Sequence, residues 1–187
     1  MRMIQQMISW LPQLLNGAKI TILLTLCAVS MGLLLSIFLA LGKMSKNKIL
    51  SGICSVYIFF FRGTPLLMQL YFIYFGLPQI NMALTINSRF FAAFLAFSLN
   101  SAAYCSEFIR AAIQSIDRGQ FEASKALGLS KAQTMQLVIF PQSIRRLVPS
   151  VANEFIMVLK DASLVSIIAL ADLTKVTRAI SSSTGTA

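Results

Sequence analysis

Residues 122–142, EASKALGLSKAQTMQLVIFPQ, form a polar segment in a chain that is otherwise mostly hydrophobic. Gly128 can adopt the left-handed conformation that terminates a helix, and Ser130 followed by Gln133 has the spacing of a capping box that starts the next one. Because proline cannot continue a helix, we expect Pro141 to end that second helix. The sequence therefore predicts a short helical hairpin between two apolar runs, which is either an ordinary surface loop or a docking device.

The composition indicates that the chain lies in a membrane. Of its 187 residues, 57% are hydrophobic and only 12% are charged, with a mean hydropathy of +0.76, whereas soluble domains carry about 25% charged residues. The formal net charge is +10. The basic residues flank the apolar runs instead of forming one stripe, so we expect no nucleic-acid partner. Residues 1–187 are predicted to form a single all-α transmembrane domain in contact with lipid.

Residues that commonly carry catalysis or bind metals are scarce in this sequence. It has no histidine, and its cysteines, Cys27, Cys54 and Cys105, are scattered through apolar runs without metal-ligand spacing. No Walker A motif or nucleophile elbow occurs. A membrane-embedded enzyme is therefore disfavoured, and we expect no catalytic residue, no metal and no cofactor in this chain.

The apolar runs predict about four transmembrane helices. Residues 1–19 are expected to form an interfacial lead-in, and the uncharged run Ile20–Gly42 can cross a hydrocarbon core of about 30 Å. A second crossing is predicted within residues 49–77, a third over Phe90–Ala112 and a fourth from Leu147 onwards.

Polar side chains within these runs have predicted structural roles. Pro65 should break the helix of the second run, and the Arg62 guanidinium is expected to cap the carbonyl groups that the break frees, because a charge there must face protein or water. Glu107 and Arg110 are three residues apart and share a helical face. We expect them to form an ion pair that serves structure more than substrate.

The distribution of lysine and arginine predicts the topology. The loop 43–48 has three basic residues, the segment 110–146 has six, and the loop 78–88 between the second and third crossings has none. Positive residues favour the cytoplasmic side. The chain is therefore expected to be a multi-pass protein with its N-terminus outside and the polar hairpin in the cytoplasm.

Four motifs, in order, give the chain its resemblance to a known family. GQFEASKALGLSKAQTMQLVIFPQSIRRLVP resembles the cytoplasmic EAA signature of ABC importer permeases. FFRGTPLLMQLYFIYFGLP, NSAAYCSEFIRAAIQSI and NEFIMVLKDASLVSII resemble the polar amino acid branch, which imports histidine, arginine, glutamine or glutamate. The similarity extends over about residues 10–180. It implies a type I ABC importer permease bundle, usually of five transmembrane helices, of which the fifth, after about residue 180, has no counterpart here.

The resemblance also implies partners and a role for the hairpin. Residues 118–141 would be the coupling helix region that docks on a cytoplasmic ABC ATPase homodimer, which binds ATP and Mg. A second permease copy or paralogue and an extracytoplasmic solute-binding protein would complete the transporter in a bacterial cytoplasmic (inner) membrane. The signature residues that carry over are Gln120, Glu122, Ala123 and Gly128, with Ser124 in place of an alanine and Pro141 at the end.

The substrate prediction rests on Glu154. This residue is eight positions beyond Arg146, or about 12 Å along a helix, which puts a carboxylate near the middle of the membrane. Such a group either pairs with Lys160 or Arg62 or faces a wet cavity.

The resemblance places Lys160, Asp161 and Ser163 in a loop at that cavity, to which Asn100 and Asn153 could add hydrogen bonds. An anionic cavity favours arginine, lysine, ornithine or histidine as cargo. Glutamine or glutamate import, a stand-alone channel and a secondary transporter are the alternatives.

Overall fold

The computed structural model describes the backbone of residues 2–184 and the side chains of residues 8–183. Within these residues every regular element is a helix, which confirms the predicted all-α fold class. Two π-helical turns and two 3₁₀ helices connect or extend the α-helices. The α-helices are α1 (Arg2–Lys43), α2 (Lys48–Gly63), α3 (Leu66–Tyr71), α4 (Leu77–Ile80), α5 (Arg89–Gln114), α6 (Arg118–Ala126), α7 (Lys131–Thr134), α8 (Phe140–Asp161) and α9 (Leu173–Thr184).

Helix α1 is longer than predicted, because the expected lead-in 1–19 is continuous with the first crossing. The part from Ile8 to Lys43 has the length and composition of a membrane span. The lead-in part of α1 also takes part in tertiary packing. A Cβ atom on Gly17 would lie 3.0 Å from the Leu173 Cα atom, so α9 packs closely on the first half of α1.

The second crossing is broken at the predicted place. Helix α2 ends at Gly63, Pro65 precedes the first residue of α3, and the axis turns by 104° between α2 and the helical segment Leu66–Ile80. Together, Lys48–Gly63 and Leu66–Ile80 are a second candidate span by length and composition. Helices α5 and α8 do not pass this test, because serine, asparagine and charged residues interrupt them.

The core is built on small residues of α5. Helix α1 packs along α5, where a Cβ atom on Gly32 would lie 2.9 Å from the Ser101 Cβ atom. Small side chains let helix backbones approach closely, which is how helices associate inside a bilayer. The buried residues of this core are Leu24, Ala28, Val29, Leu70, Ile73, Ala92, Ala93, Ala96, Phe97, Val158, Ala162, Val165 and Ile168.

The prediction that Pro141 ends a helix is wrong. Helix α7 continues through a π-helical turn, Met135–Ile139, directly into α8, and Pro141 lies in the first turn of α8. The same arrangement occurs at Pro78, which follows the π-helical turn Phe72–Gly76. A wider π turn relieves the clash of the proline ring with the preceding turn and tolerates the missing amide donor.

The residues after α8 are helical and not a loop. Lys160 and Asp161 are the last residues of α8, and Ser163 lies in the 3₁₀ helix Ala162–Ile168. Burial of Ala162 and Val165 in the core holds this turn against the bundle. The predicted loop at this position is therefore corrected to a helix end followed by a 3₁₀ helix.

Candidate functional site

A cleft of about 660 Å³ lies between the break after α2, the middle of α5 and the second half of α8. It brings together six residues that the sequence singled out. Lys160 and Ser163 are exposed and do not line it. The predicted residues along the cleft are Arg62, Pro65, Asn100, Asn153, Glu154 and Asp161.

Glu154 is the buried acid of the cleft, with 6% of its surface exposed. Asp161, seven residues further along α8, lines the same cleft as a second acid. The ion pairs among the described residues all involve Glu107 instead. Glu154 therefore pairs with neither Lys160 nor Arg62, and it is left facing the cleft.

A buried amide pair holds the helix break open. The Gln69 Nε2 atom donates to the carbonyl oxygens of Phe61 and Thr64, at 2.9 and 3.0 Å. The Asn100 Nδ2 atom donates to Phe61 O at 3.1 Å and to Gln69 Oε1 at 3.0 Å. Both Asn100 amide hydrogens are thus used by the protein, and only its carbonyl oxygen is left for a ligand.

Gln69 was missed by sequence reasoning, although one signal was available. It is a lone amide in an apolar run, four residues after Pro65, so its side chain can reach back over the break. Gln69 therefore performs the capping that was predicted for Arg62, and that prediction is wrong. A guanidinium forms stronger, charge-assisted hydrogen bonds with a carboxylate than with a carbonyl oxygen.

Glu107 is the centre of a cluster of charges that joins three helices. Its carboxylate lies 2.7 Å from Lys43 at the end of α1 and 2.7 Å from Arg110 on its own helix. Arg62 of α2 is more distant, at 3.9 Å, and its guanidinium lies over the Tyr104 ring. The predicted contact between Glu107 and Arg110 is present, and Lys43 is a partner that the sequence did not indicate.

The hairpin has the local chemistry that its sequence predicts. Gly128 has a φ of +75°, and the amides of Gly128 and Leu129 donate to the carbonyls of Lys125 and Ser124. This pattern is a Schellman motif. Ser130 and Gln133 then form the complete capping box that starts α7.

The hairpin is also anchored to the bundle as one body. The Gln142 side chain of α8 donates to the Gln120 side chain of α6 at 3.0 Å. Ile116 and Ile139 are buried together below the hairpin. Ser124 is buried between its arms, where its hydroxyl donates to the Gln120 carbonyl, so serine fits the alanine position of the signature.

The outward side of the hairpin is accessible. Glu122, Ala123 and Gly128 are exposed, and Leu127 has 80% of its surface exposed. Beside them, Lys125 and Lys131 border a concave surface that also includes Phe121. An anchored hairpin with mixed polar and apolar groups on its accessible side is suited to docking in a groove of another protein.

Comparison with known proteins finds transport permeases. The profile described as "Binding-protein-dependent transport system inner membrane component" matches residues 32–185. A Rickettsia bellii protein, "Putative glutamine transport system permease protein GlnP", is 41% identical over 177 residues, covering 92% of this chain and 80% of that protein. The Bacillus subtilis arginine transport system permease protein ArtQ is 42% identical over 163 residues, covering 87% of this chain and 74% of ArtQ.

A solved structure has a similar fold. It is described as the crystal structure of an amino acid ABC transporter with histidines, and its matching chain is 44% identical with a TM-score of 0.90. The match covers 96% of this chain and 83% of that chain.

Proposed function

The chain belongs to the family of binding-protein-dependent transport system inner membrane components, among the permeases of amino acid ABC transporters, and we propose that its cargo is a basic amino acid. Arginine, lysine, ornithine and histidine are the candidates. The observation that carries the proposal is Glu154, a buried carboxylate that lines the cleft and pairs with no cation among the described residues.

The electrostatics of the cleft favour a cationic side chain. A carboxylate buried in a bilayer-spanning helix is costly unless it is compensated. Glu154 forms no ion pair among the described residues, and Asp161 lines the same cleft as a second acid. A bound guanidinium or ammonium group would supply the missing charge. Glutamine is the competing cargo, because four relatives are named as putative glutamine permeases, while the two acids would repel glutamate.

The hairpin is proposed to couple this pathway to a separate ATPase. A homodimeric ABC ATPase, which binds ATP and Mg, would receive Glu122 and Ala123 in a groove, and the anchored hairpin would transmit the motion to α5 and α8 as a rigid lever. The further partners are a second permease copy or paralogue and an extracytoplasmic solute-binding protein. This chain itself would need no cofactor.

We propose that the chain crosses a bacterial cytoplasmic membrane several times, with its N-terminus outside. The contact between Lys43 and Glu107 supports it, because the loop 43–48 and the C-terminal part of α5 then lie at the same end of the bundle. The loop 43–48 has three basic residues and the segment 110–146, which starts in this part of α5, has six, and that end is therefore assigned to the cytoplasm. In this arrangement α1, α2–α4, α5 and α8 are the four crossings, within one domain.

Uptake by the Glu154→Gln variant tests the cargo proposal. The complex with its ATPase and binding protein is reconstituted in proteoliposomes, and uptake of labelled arginine and glutamine is measured. Loss of a charged hydrogen-bond partner is worth about 1.5–3 kcal/mol, so arginine uptake at subsaturating concentration should fall about tenfold or more, while glutamine uptake should change little.

Glu122→Gln is the matched control, because the same substitution on the exposed hairpin should leave the ratio of arginine to glutamine uptake unchanged even where it lowers both. An unchanged ratio in Glu154→Gln would refute the assignment of Glu154 to cargo selection.

A further inference from the structure

The cleft has charges of both signs on its walls, and the proposed cargo selection uses only the negative ones. Glu154 and Asp161 line it from α8, and Arg62 lines it from the end of α2 as the only cation among the described lining residues. A free α-amino acid carries a carboxylate as well as an ammonium group. We propose that Arg62 binds the α-carboxylate of the cargo, an inference that rests on the proposed function as an amino acid permease.

The Arg62 guanidinium is available for such a ligand. Its nearest acid, Glu107, already has Lys43 and Arg110 at 2.7 Å each, whereas Arg62 lies at 3.9 Å. Within the described part of the chain Arg62 forms no hydrogen bond, and 42% of its side chain is exposed. Its N–H donors can therefore form the paired hydrogen bonds that guanidinium groups make with carboxylates.

The helix break determines the depth of Arg62. Phe61 O accepts a hydrogen bond from Asn100, near the middle of α5, so the C-terminal end of α2 lies deep in the bundle. The Arg62 Cζ atom lies 5.2 Å from the centre of the Tyr104 ring, and Tyr104 also lines the cleft. The ring supports the guanidinium by a cation–π contact and keeps it at the wall of the cleft.

The cation and the acids are kept apart across the cleft. Among the described residues, no ion pair joins Arg62 to Glu154 or to Asp161. If Arg62 paired with Glu154 directly, the two charges would neutralise each other without cargo. The separation instead suits a zwitterion that turns its carboxylate towards α2 and its cationic groups towards α8. The ligand class is therefore α-amino acids with a free carboxylate, and decarboxylated amines should bind poorly.

Binding of amino acids and their decarboxylated analogues tests this role. The purified permease–ATPase complex in nanodiscs is titrated with arginine and agmatine, and in parallel with glutamine and 4-aminobutanamide. The wild type should bind each amino acid about tenfold or more tightly than its analogue. In Arg62→Gln this ratio should fall to about one, because the amino acids lose affinity and the analogues do not, and Arg62→Lys should restore part of it.

Arg110→Gln is the control, since it removes a cation from Glu107 that does not line the cleft. Its amino acid to analogue ratio should equal that of the wild type. An equal loss of affinity for amino acid and analogue in Arg62→Gln would show a purely structural role and overturn the inference. If only glutamine and 4-aminobutanamide bind, the basic cargo is refuted. The ratio of their affinities in Arg62→Gln would still decide whether Arg62 binds the α-carboxylate. Binding of neither amino acid by the wild type would overturn both proposals.

Discussion

Gln69 is the residue on which the broken crossing depends most directly. Only 6% of its surface is exposed, and its amide nitrogen donates to two carbonyl oxygens and to the Thr64 hydroxyl. Backbone groups that a break frees within a membrane need a partner, because no water is present to replace the lost helical bond. Gln69, together with Asn100, thus satisfies carbonyl groups at the 104° bend between α2 and Leu66–Ile80.

We expect Gln69→Leu to destabilise the protein by about 1–3 kcal/mol, because it leaves buried acceptors without donors. The free energy of unfolding in detergent, measured by titration with SDS, would report the loss. Gln136→Leu, at an exposed glutamine of the hairpin, is the control and should have almost no effect. Equal stabilities of the two variants would contradict the role of Gln69 at the break.

At the level of single residues, the sequence predicted which residues line the cleft better than it predicted their partners. Glu154 was expected either to pair with Lys160 or Arg62 or to face a cavity, and it lines the cleft without an ion pair among the described residues. The capping of the break was assigned to Arg62, because charge is the strongest signal in an apolar run. Whether Gln69 or Arg62 caps the break depends on Glu107. That residue is distant from both in sequence and comes near Arg62 only in the folded protein.

In the helices, too, the features that depend on neighbours in sequence were predictable, and those that depend on tertiary contacts were not. The Schellman motif at Gly128 and the capping box at Ser130 were predictable, because they depend on neighbours in sequence. The continuation of the helix through Pro141 was not, because a π-helical turn has no clear sequence signature. The lead-in was likewise assigned separately from the first crossing, since its contact with α9 joins residues far apart in the chain.

The elbow at Gly128 gives a prediction for the hairpin. A Cβ atom there would meet no other atom within 4 Å, so Gly128→Val would be opposed only by the positive φ. A left-handed conformation costs an L-residue about 1–2 kcal/mol, and β-branched residues more. We therefore expect an assembled complex whose ATPase activity is stimulated several-fold less by loaded binding protein than that of the wild type.

Gly128→Asn separates this explanation from a general intolerance of side chains, because asparagine adopts the left-handed conformation more readily. It should retain most of the stimulation. Normal stimulation of ATPase activity by loaded binding protein in Gly128→Val, in a complex of wild-type composition, would contradict the proposal that the turn at Gly128 serves coupling.

At the scale of the whole molecule, two kinds of contact hold the bundle together. Along α1 and α5, small residues allow close packing, as at Gly32 and Ser101. At the end that we assign to the cytoplasm, Glu107 connects α1, α2 and α5 through charge. The resemblance to permeases predicted the fold. It did not predict this three-helix charge cluster, since only the Glu107 and Arg110 pair is local in sequence.

The charge cluster leads to a prediction about how α1 and α5 are joined. Removing one partner of a buried ion pair costs about 3–5 kcal/mol, and the value should be smaller here because the Lys43 side chain is 27% exposed. In a double-mutant cycle of Lys43→Met and Glu107→Gln, measured by unfolding in detergent, we expect a coupling free energy of about 1–2 kcal/mol. The cycle of Arg62→Met and Glu107→Gln should give much less, because those groups are 3.9 Å apart. A larger coupling for Arg62 than for Lys43 would contradict both the proposed link between α1 and α5 and the availability of Arg62 to the cleft.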